Sequence, residues 1–484
     1  MELPMYQIRQ ESLFSLEQLI EMSPNEKYSW IFETLDITPF LRAVMKKTHL
    51  GAPETLNYAA MIYSLFIRVV ERMPFIKDLV LRLRTSEEFR YHCHFTGSDA
   101  TPSEAAYSRL IAKLQGLPVF QQTHDNLILQ AFQEDFIDGA NVAVDATHAE
   151  ARDAANPAKR RSCKKKGNQE TAVEQAELAF DQPTEAAPDP KPTTPKKRGR
   201  KNKAEREQWL KEQAEIEAAK TIFEKTLEQM LSHFCEEIEA EIPLDPSWGT
   251  KKNTDNKKMF WYGYKGHLAV DCESQYILVA LFSSAHVNDG KMSIPLLKAL
   301  AKRHPYLNIK YVLADAGYDF EAVYKQIRMI GARPLIDYNK RNESPIEGKD
   351  EHFRPVCKEG HSYVYDSFDE KYETLKFTRP KECEQCPFKE DGCQKVCKVK
   401  VESDIRKYTV PARGSQSYKE LYKKRTAVER VNAYLKGLFQ LNNIRYRGGA
   451  LAKVDFDISC LVYTLSKLAV DRINKQMNEI QNAS

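Results

Sequence analysis

The chain has 484 residues, 42% of them hydrophobic, and its 72 basic and 68 acidic side chains leave a net charge of +4. That length accommodates two or three domains with a substantial core, and the near balance of charge excludes overall basicity as a source of nucleic-acid affinity, leaving local patches. Apolar runs such as 58–67 are too short to span a bilayer, and ten cysteines without a signal peptide point to a reducing cytoplasm rather than a disulfide framework.

Residues 1–130 read as a mostly helical domain. Asn57 to Arg72 carries apolar clusters at helical spacing, Pro74 interrupts it, and Phe75 to Arg84 resumes the pattern. Ser103 then caps a helix bearing Tyr107, Arg109 and Lys113. Val142 to Val144 form a buried-type strand that ends in Asp145.

Composition changes abruptly over 152–250, the first of two insertions. It holds a basic cluster at 159–166, a proline-spaced stretch from Pro183 to Pro195, and KKRGRK at 196–201, whose Arg198 and Arg200 are candidates for DNA contact or else a solvated charge run. The proline stretch suits a disordered or extended linker, and Ala204 to Glu241 suits a long surface helix or coiled-coil arm.

Lys258 to Cys272 and Gln275 to Ser283 predict two antiparallel strands turning at Glu273 and Ser274. A helix over Lys291 to Arg303, a strand over Tyr311 to Ala314 that delivers Asp315, a helix over Asp319 to Ile330 and a strand over Pro334 to Asp337 follow. An open α/β sheet keeps its functional groups where such strands end. Asp319 and Asp289 read as helix N-caps, and Lys265 and His267 as possible assistants from the neighbouring strand.

The second insertion, 338–416, carries half of the cysteines. Cys383, Cys386, Cys393 and Cys397 are the simplest set for a tetrahedral Zn²⁺ site, with Cys357 and His361 as alternative ligands; reduced, partly buried cysteines are the plain alternative.

In ELYKKRTAVERVNAYLK, Tyr422, Arg425, Glu429 and Lys436 fall within a narrow arc of one predicted helix, beside an apolar arc of Leu421, Ala427, Val428, Val431, Leu435 and Leu438. Ser417 and Glu420 read as a capping box, and Gly448 and Gly449 lie beyond the helix end. Four polar residues on an arc ordinarily form a solvated face. The two upstream carboxylates alter that reading, because Asp145, Asp315 and Glu429 together offer hard oxygen ligands for Mg²⁺ or Mn²⁺. Two such ions can clamp the attacking and leaving oxygens of an in-line phosphoryl displacement.

With these residues on the page, the chain resembles a DDE-type insertion-sequence transposase marked by a YREK signature. Tyr422, Arg425, Glu429 and Lys436 match every spacing of that signature, and Asp145 in VAVDATH, Asp315 in LADAGYD, WYGYKGHLAVD and SSAHVNDGK extend the likeness over roughly 50–470 with gaps. The resemblance implies an α/β fold with an RNase H-like mixed sheet flanked by helices, built from 138–151 and 251–470, a helical N-terminal domain and the two insertions. It implies metal-dependent cleavage at element ends and strand transfer, with Asp145, Asp315 and Glu429 as catalytic metal ligands. Tyr422, Arg425 and Lys436, with Lys265, would contact DNA, and the N-terminal helices would either bind terminal inverted repeats through a helix-turn-helix-like unit or pack on the core as a bundle. Expected partners are terminal-repeat and target DNA and a second copy of the chain, in a prokaryotic cytoplasm at the nucleoid. A catalytically silent DNA-binding derivative and a stand-alone metal nuclease are the alternatives.

Overall fold

A computed structural model describes residues 13–46, 56–155, 203–252, 257–341, 343–386, 393–442 and 444–483. Arg198, Arg200, the 159–166 cluster and the proline stretch lie outside the described residues. Residues 1–153 and 226–484 pack into one compact unit, and 154–225 form a second.

The main unit is mixed α/β. Its sheet is built from β1 (Asn141–Glu150), β2 (Ser247–Lys252), β3 (Lys258–Asp271), β4 (Ile277–Ser284), β5 (Tyr311–Ala314) and β6 (Arg333–Ile336). The order is β2-β3-β1-β5-β6, with β4 also paired to β3. Pairs involving β3 are antiparallel, whereas β1–β5 and β5–β6 are parallel. This is the RNase H-like arrangement expected, with β2 as an addition that composition did not suggest. The parallel strands are short apolar runs because both faces are covered: Val312, Leu313, Ala314, Leu335 and Ile336 are all buried.

Helices Asp289–Arg303 and Glu321–Met329 connect β4 to β5 and β5 to β6. The first was expected from 291 and the second from 319, so the discrepancies are confined to termini. A larger departure concerns 204–241. Helix Lys203–Ala218 is followed by separate short helices Leu227–Met230 and Cys235–Ala240. Thr226 starts the first of these short helices with a capping box to Gln229, and Met230 and Ile238 are buried, so residues 226–240 belong to the main unit and do not continue helix Lys203–Ala218 as one arm.

The C-terminal helix Gly449–Ala483 is buried on most of its circumference between Ala452 and Val470, with Asp455, Ser459, Thr464 and Ser466 buried among the apolar side chains. It lies against β4 and the N-terminal helices. Arg68 from helix Tyr58–Val70 reaches Asp455 at 2.5 Å, a buried ion pair joining distant parts of the sequence. Gly266 of β3 is required by that packing: a Cβ there would stand 2.5 Å from the Phe456 ring. Among the described residues no helix is long and apolar enough to cross a membrane.

The Cys-bearing insertion forms its own three-stranded antiparallel sheet, β7 (Val364–Asp369), β8 (Thr374–Thr378) and β9 (Val396–Lys400). Its return to the main sheet is fixed by Arg413, whose buried guanidinium donates to Ile336 O at 2.6 Å and to the hydroxyls of Tyr324 and Tyr418.

Candidate active site

Parallel pairing sets the two acidic strand positions side by side. Asn141, Val142 and Ala143 pair with Tyr311, Val312 and Leu313. The same offset carried two residues on brings Asp145 level with Asp315, on strands about 4.8 Å apart. Asp145 was expected at a strand end, yet β1 continues to Glu150, because β3 supports it antiparallel after β5 has stopped. Asp145 therefore lies just beyond the parallel stretch without ending the strand. Asp315 does leave its strand, capping the turn Ala316–Tyr318 by accepting from Gly317 N at 2.8 Å. A Cβ on Gly317 would sit 2.9 Å from that carboxylate, which explains the glycine.

Burial pushes the Asp145 carboxyl up to about 7, with Asp315 and Asp289 adding to the rise and the Ala146 amide and Arg425 opposing it. Asp315 is also raised, by burial and then by Asp289 and Asp337, against the Gly317 amide and Arg425. Like charges crowded in a half-buried site favour a cation between them.

The segment from Tyr422 to Lys436, predicted as one helix, is divided between two. Gln416–Lys423 and Thr426–Gly437 meet at Lys424 and Arg425, where Arg425 N, Ala427 N and Val428 N bond three residues back. A turn of three residues instead of 3.6 rotates Tyr422 off the stripe that it was expected to share. The first helix is capped by Ser415, which accepts from Tyr418 N, and not by Ser417. Tyr422 stacks on Tyr418 at 5.7 Å and donates its hydroxyl to Ala314 O at 3.2 Å, pinning this helix to the strand end next to Asp315.

The second helix buries Ala427, Val428, Val431 and Leu435. Its adjoining stripe carries Arg425, Glu429, Asn432 and Lys436, spaced four, three and four residues apart. Arg425 is within 2.6 Å of Glu429, which is half exposed, and its guanidinium lies over the Tyr422 ring. Asn432, absent from the sequence-level candidates, donates Nδ2 to Asp145 Oδ2 at 3.1 Å, and its buried Oδ1 has no partner. Its place three residues after Glu429 was the available signal. Lys436 Nζ is 3.3 Å from His148 Nδ1, and Lys251 of β2 approaches the same nitrogen at 3.4 Å. Burial and Lys251 lower the Lys436 ammonium to about 8, although Asp145 opposes this, and His148 is held down to about 4 by burial and both lysines.

Other candidates have different neighbours from those expected. Lys265 pairs with Asp289 at 2.8 Å and donates to Val287 O, so it faces a carboxylate rather than open solvent. Asn288, not Asp289, caps the helix that follows. Asp319 is no helix N-cap either, that position belonging to Phe320: it is fully buried, bound by Arg406 at 2.7 Å, Tyr324 Oη and Asn339 N. His267 is buried against Ser283 Oγ and held low, to about 4, chiefly by burial. Tyr318, also missed, is buried with an unpartnered hydroxyl and is affected by Asp289, Asp145 and Asp315.

Of the simplest expected set only Cys383 belongs to the compact group of Cys357, His361 and Cys383, whose ligand atoms lie within 4.8 Å of one another; the other two members are the alternative ligands Cys357 and His361. Cys397 sits inside β9, paired with Phe377 of β8, and with Cys386 and Cys393 it packs against the cluster that contains Cys357 and Cys383.

The carboxylates Asp145 and Asp315 and the unpartnered Asn432 Oδ1 are oxygen donors of the kind that suits a hard divalent cation, whereas Glu429 is paired with Arg425, and among the described residues the three carboxylates do not close into a compact ligand group. Residues 235–465 match the family described as Transposase DDE domain, and residues 14–113 match the family described as Transposase domain (DUF772). The first match takes in Asp315 and Glu429 and begins after β1, so Asp145 joins them through the fold. No curated protein matches the chain. Together the two matches support a transposase of insertion-sequence type, a class that acts on DNA and generally uses divalent metals.

Proposed function

We propose that the chain is a DDE transposase that cuts DNA at the ends of an insertion sequence and joins the freed 3′-hydroxyl to target DNA. The observation supporting it best is the parallel register of β1 and β5, whose offset continued brings Asp145 level with Asp315, together with the bond from Asn432 of the Arg425, Glu429, Asn432 and Lys436 stripe to Asp145. Asp145, Asp315 and Glu429 would hold Mg²⁺ or Mn²⁺, which when bound supplies Lewis-acid stabilisation of the attacking and leaving oxygens.

The protein's own groups do the positioning. Asn432 fixes one oxygen of Asp145. Arg425 exchanges its bond to Glu429 for a bidentate contact with a DNA phosphate, which frees the Glu429 carboxylate for the site. Lys436 and Lys251 present two cations to the next phosphate, separated only by neutral His148. Tyr422 acts through the Ala314 carbonyl as a brace for the Asp315 turn, and Lys265 holds Asp289. Helices of 1–130 recognise the terminal inverted repeats, and two copies of the chain work on paired ends at the nucleoid.

Plasmid carrying the element's ends, incubated with Mg²⁺ or Mn²⁺, tests this against Glu429→Gln, which retains size and removes charge. The intact chain should cut at the ends and join them to target, while the variant binds without cutting. Binding by both without cutting by either favours a silent DNA-binding derivative, a reading suggested by the Arg425–Glu429 ion pair. Cutting without strand transfer favours a nuclease.

A further inference from the structure

The insertion places sulfur and imidazole ligands where two separate turns meet. Cys357 and His361 bracket one turn, closed by Gly360 at φ 83° and by the bond from Gly360 N to Cys357 O. Cys383 and Cys386 bracket the other, in which Cys386 N donates to Cys383 O at 3.4 Å. Cys357 Sγ is 3.9 Å from Cys383 Sγ and 3.8 Å from His361 Nδ1. In a tetrahedral site with Zn–S about 2.3 Å and Zn–N about 2.0–2.1 Å, the ligand–ligand edges are about 3.8 Å for S···S and about 3.6 Å for S···N. The observed separations are close to those edges and nearly twice the ~2.05 Å length of a disulfide.

We propose that Cys357, His361, Cys383 and Cys386 bind a structural zinc ion that ties these two turns together. The spacing is that of two knuckles, three residues between Cys357 and His361 and two between Cys383 and Cys386. His361 N donates to Cys357 Sγ at 3.3 Å, an N–H···S bond that supports a thiolate. Cys386, Cys393 and Cys397 all pack against the cluster of Cys357, Cys383, Tyr363, Leu375 and Phe377, and of the three Cys386 has the two-residue spacing from Cys383 that a zinc knuckle uses. That cluster is a small core for a three-stranded module, the situation in which a metal adds the missing stability. The insertion leads directly into the helices carrying Tyr422 and Glu429, so the ion would steady their point of entry.

The full chain, purified under reducing conditions without chelator, should carry about one zinc per molecule by elemental analysis. Replacement by Co²⁺ should give the visible bands of a tetrahedral thiolate site. Cys383→Ser and Cys386→Ser should each lower zinc content at least several-fold, whereas Cys393→Ser and Cys397→Ser should retain it. Where a variant fails to fold, the cobalt spectrum of the unmutated chain remains the test. Absence of zinc together with failure to take up Co²⁺ after reduction overturns the site. Loss of zinc in Cys393→Ser with retention in Cys386→Ser overturns this ligand set. DNA cleavage is read separately, so its failure leaves the metal result standing.

Discussion

Replacing Asp145 by Asn should stabilise the apo chain while abolishing cleavage, and the stabilisation should grow with pH. The carboxyl is raised from its ordinary 3.8 to about 7, chiefly by burial. A carboxylate with a raised folded-state value makes the native state bind the extra proton, so stability falls as pH rises from the unfolded to the folded value and then levels off. At about 1.36 kcal/mol per unit, the penalty is roughly 2 kcal/mol at pH 5 and roughly 4 kcal/mol at pH 8. Asparagine carries no charge and still accepts from Asn432, so the variant escapes this penalty. For a chain of this size the unfolding entropy is about 1 kcal/mol/K, so the variant's Tm should exceed that of the parent by about 2 °C at pH 5 and about 4 °C at pH 8. Differential scanning calorimetry in chelator measures this directly, and saturating Mg²⁺ should narrow the gap because only the parent binds it fully. A Tm difference that is absent, negative or equal at the two pH values would refute the assignment of Asp145 as a destabilised, metal-seeking carboxylate.

Lys436→Ala should weaken DNA binding across all sequences and reduce the salt slope by about one unit, as measured by anisotropy titrations at several salt concentrations. In the parent, affinity should decline as pH passes about 8, where the Lys436 ammonium loses its charge; an unchanged affinity from pH 7 to 9 argues against this contact. Arg68→Ala leaves Asp455 buried without its partner and should cost about 3–5 kcal/mol in denaturant unfolding, far more than removing an exposed charge. Gly266→Ala drives a methyl into the Phe456 ring and should cost about 1–3 kcal/mol, with recovery expected on adding Phe456→Leu.

Much of the sheet was legible in the sequence because its signals are local. Tyr311–Ala314 was predicted to the residue, and β3, β4 and helix Asp289–Arg303 to within a few residues, since apolar runs, alternation and turn residues act over short distances. The helix expected over Tyr422 to Lys436 was misjudged for the same reason. Its spacing is compatible with one continuous helix, and only the tightened turn at Lys424–Arg425 shows that Tyr422 belongs to another. Asp319 and Asp289 have the composition of caps, but their partners, Arg406 and Lys265, come from distant segments that no local pattern reveals.

By itself the sequence carried the order of β1, β3, β4, β5 and β6 with the helices between them, the residue types at Asp145, Asp315 and Glu429, and the cysteine spacing, because residue type and periodicity hold that information. Tertiary structure decided which groups meet: Asn432 at Asp145 across 287 positions, Lys251 and Lys436 at His148, and Cys357 beside Cys383. Those encounters depend on strand register and on the burial of Val428, Val431 and Leu435 against the sheet. Such long-range packing sums the contributions of many residues, and no single motif encodes it.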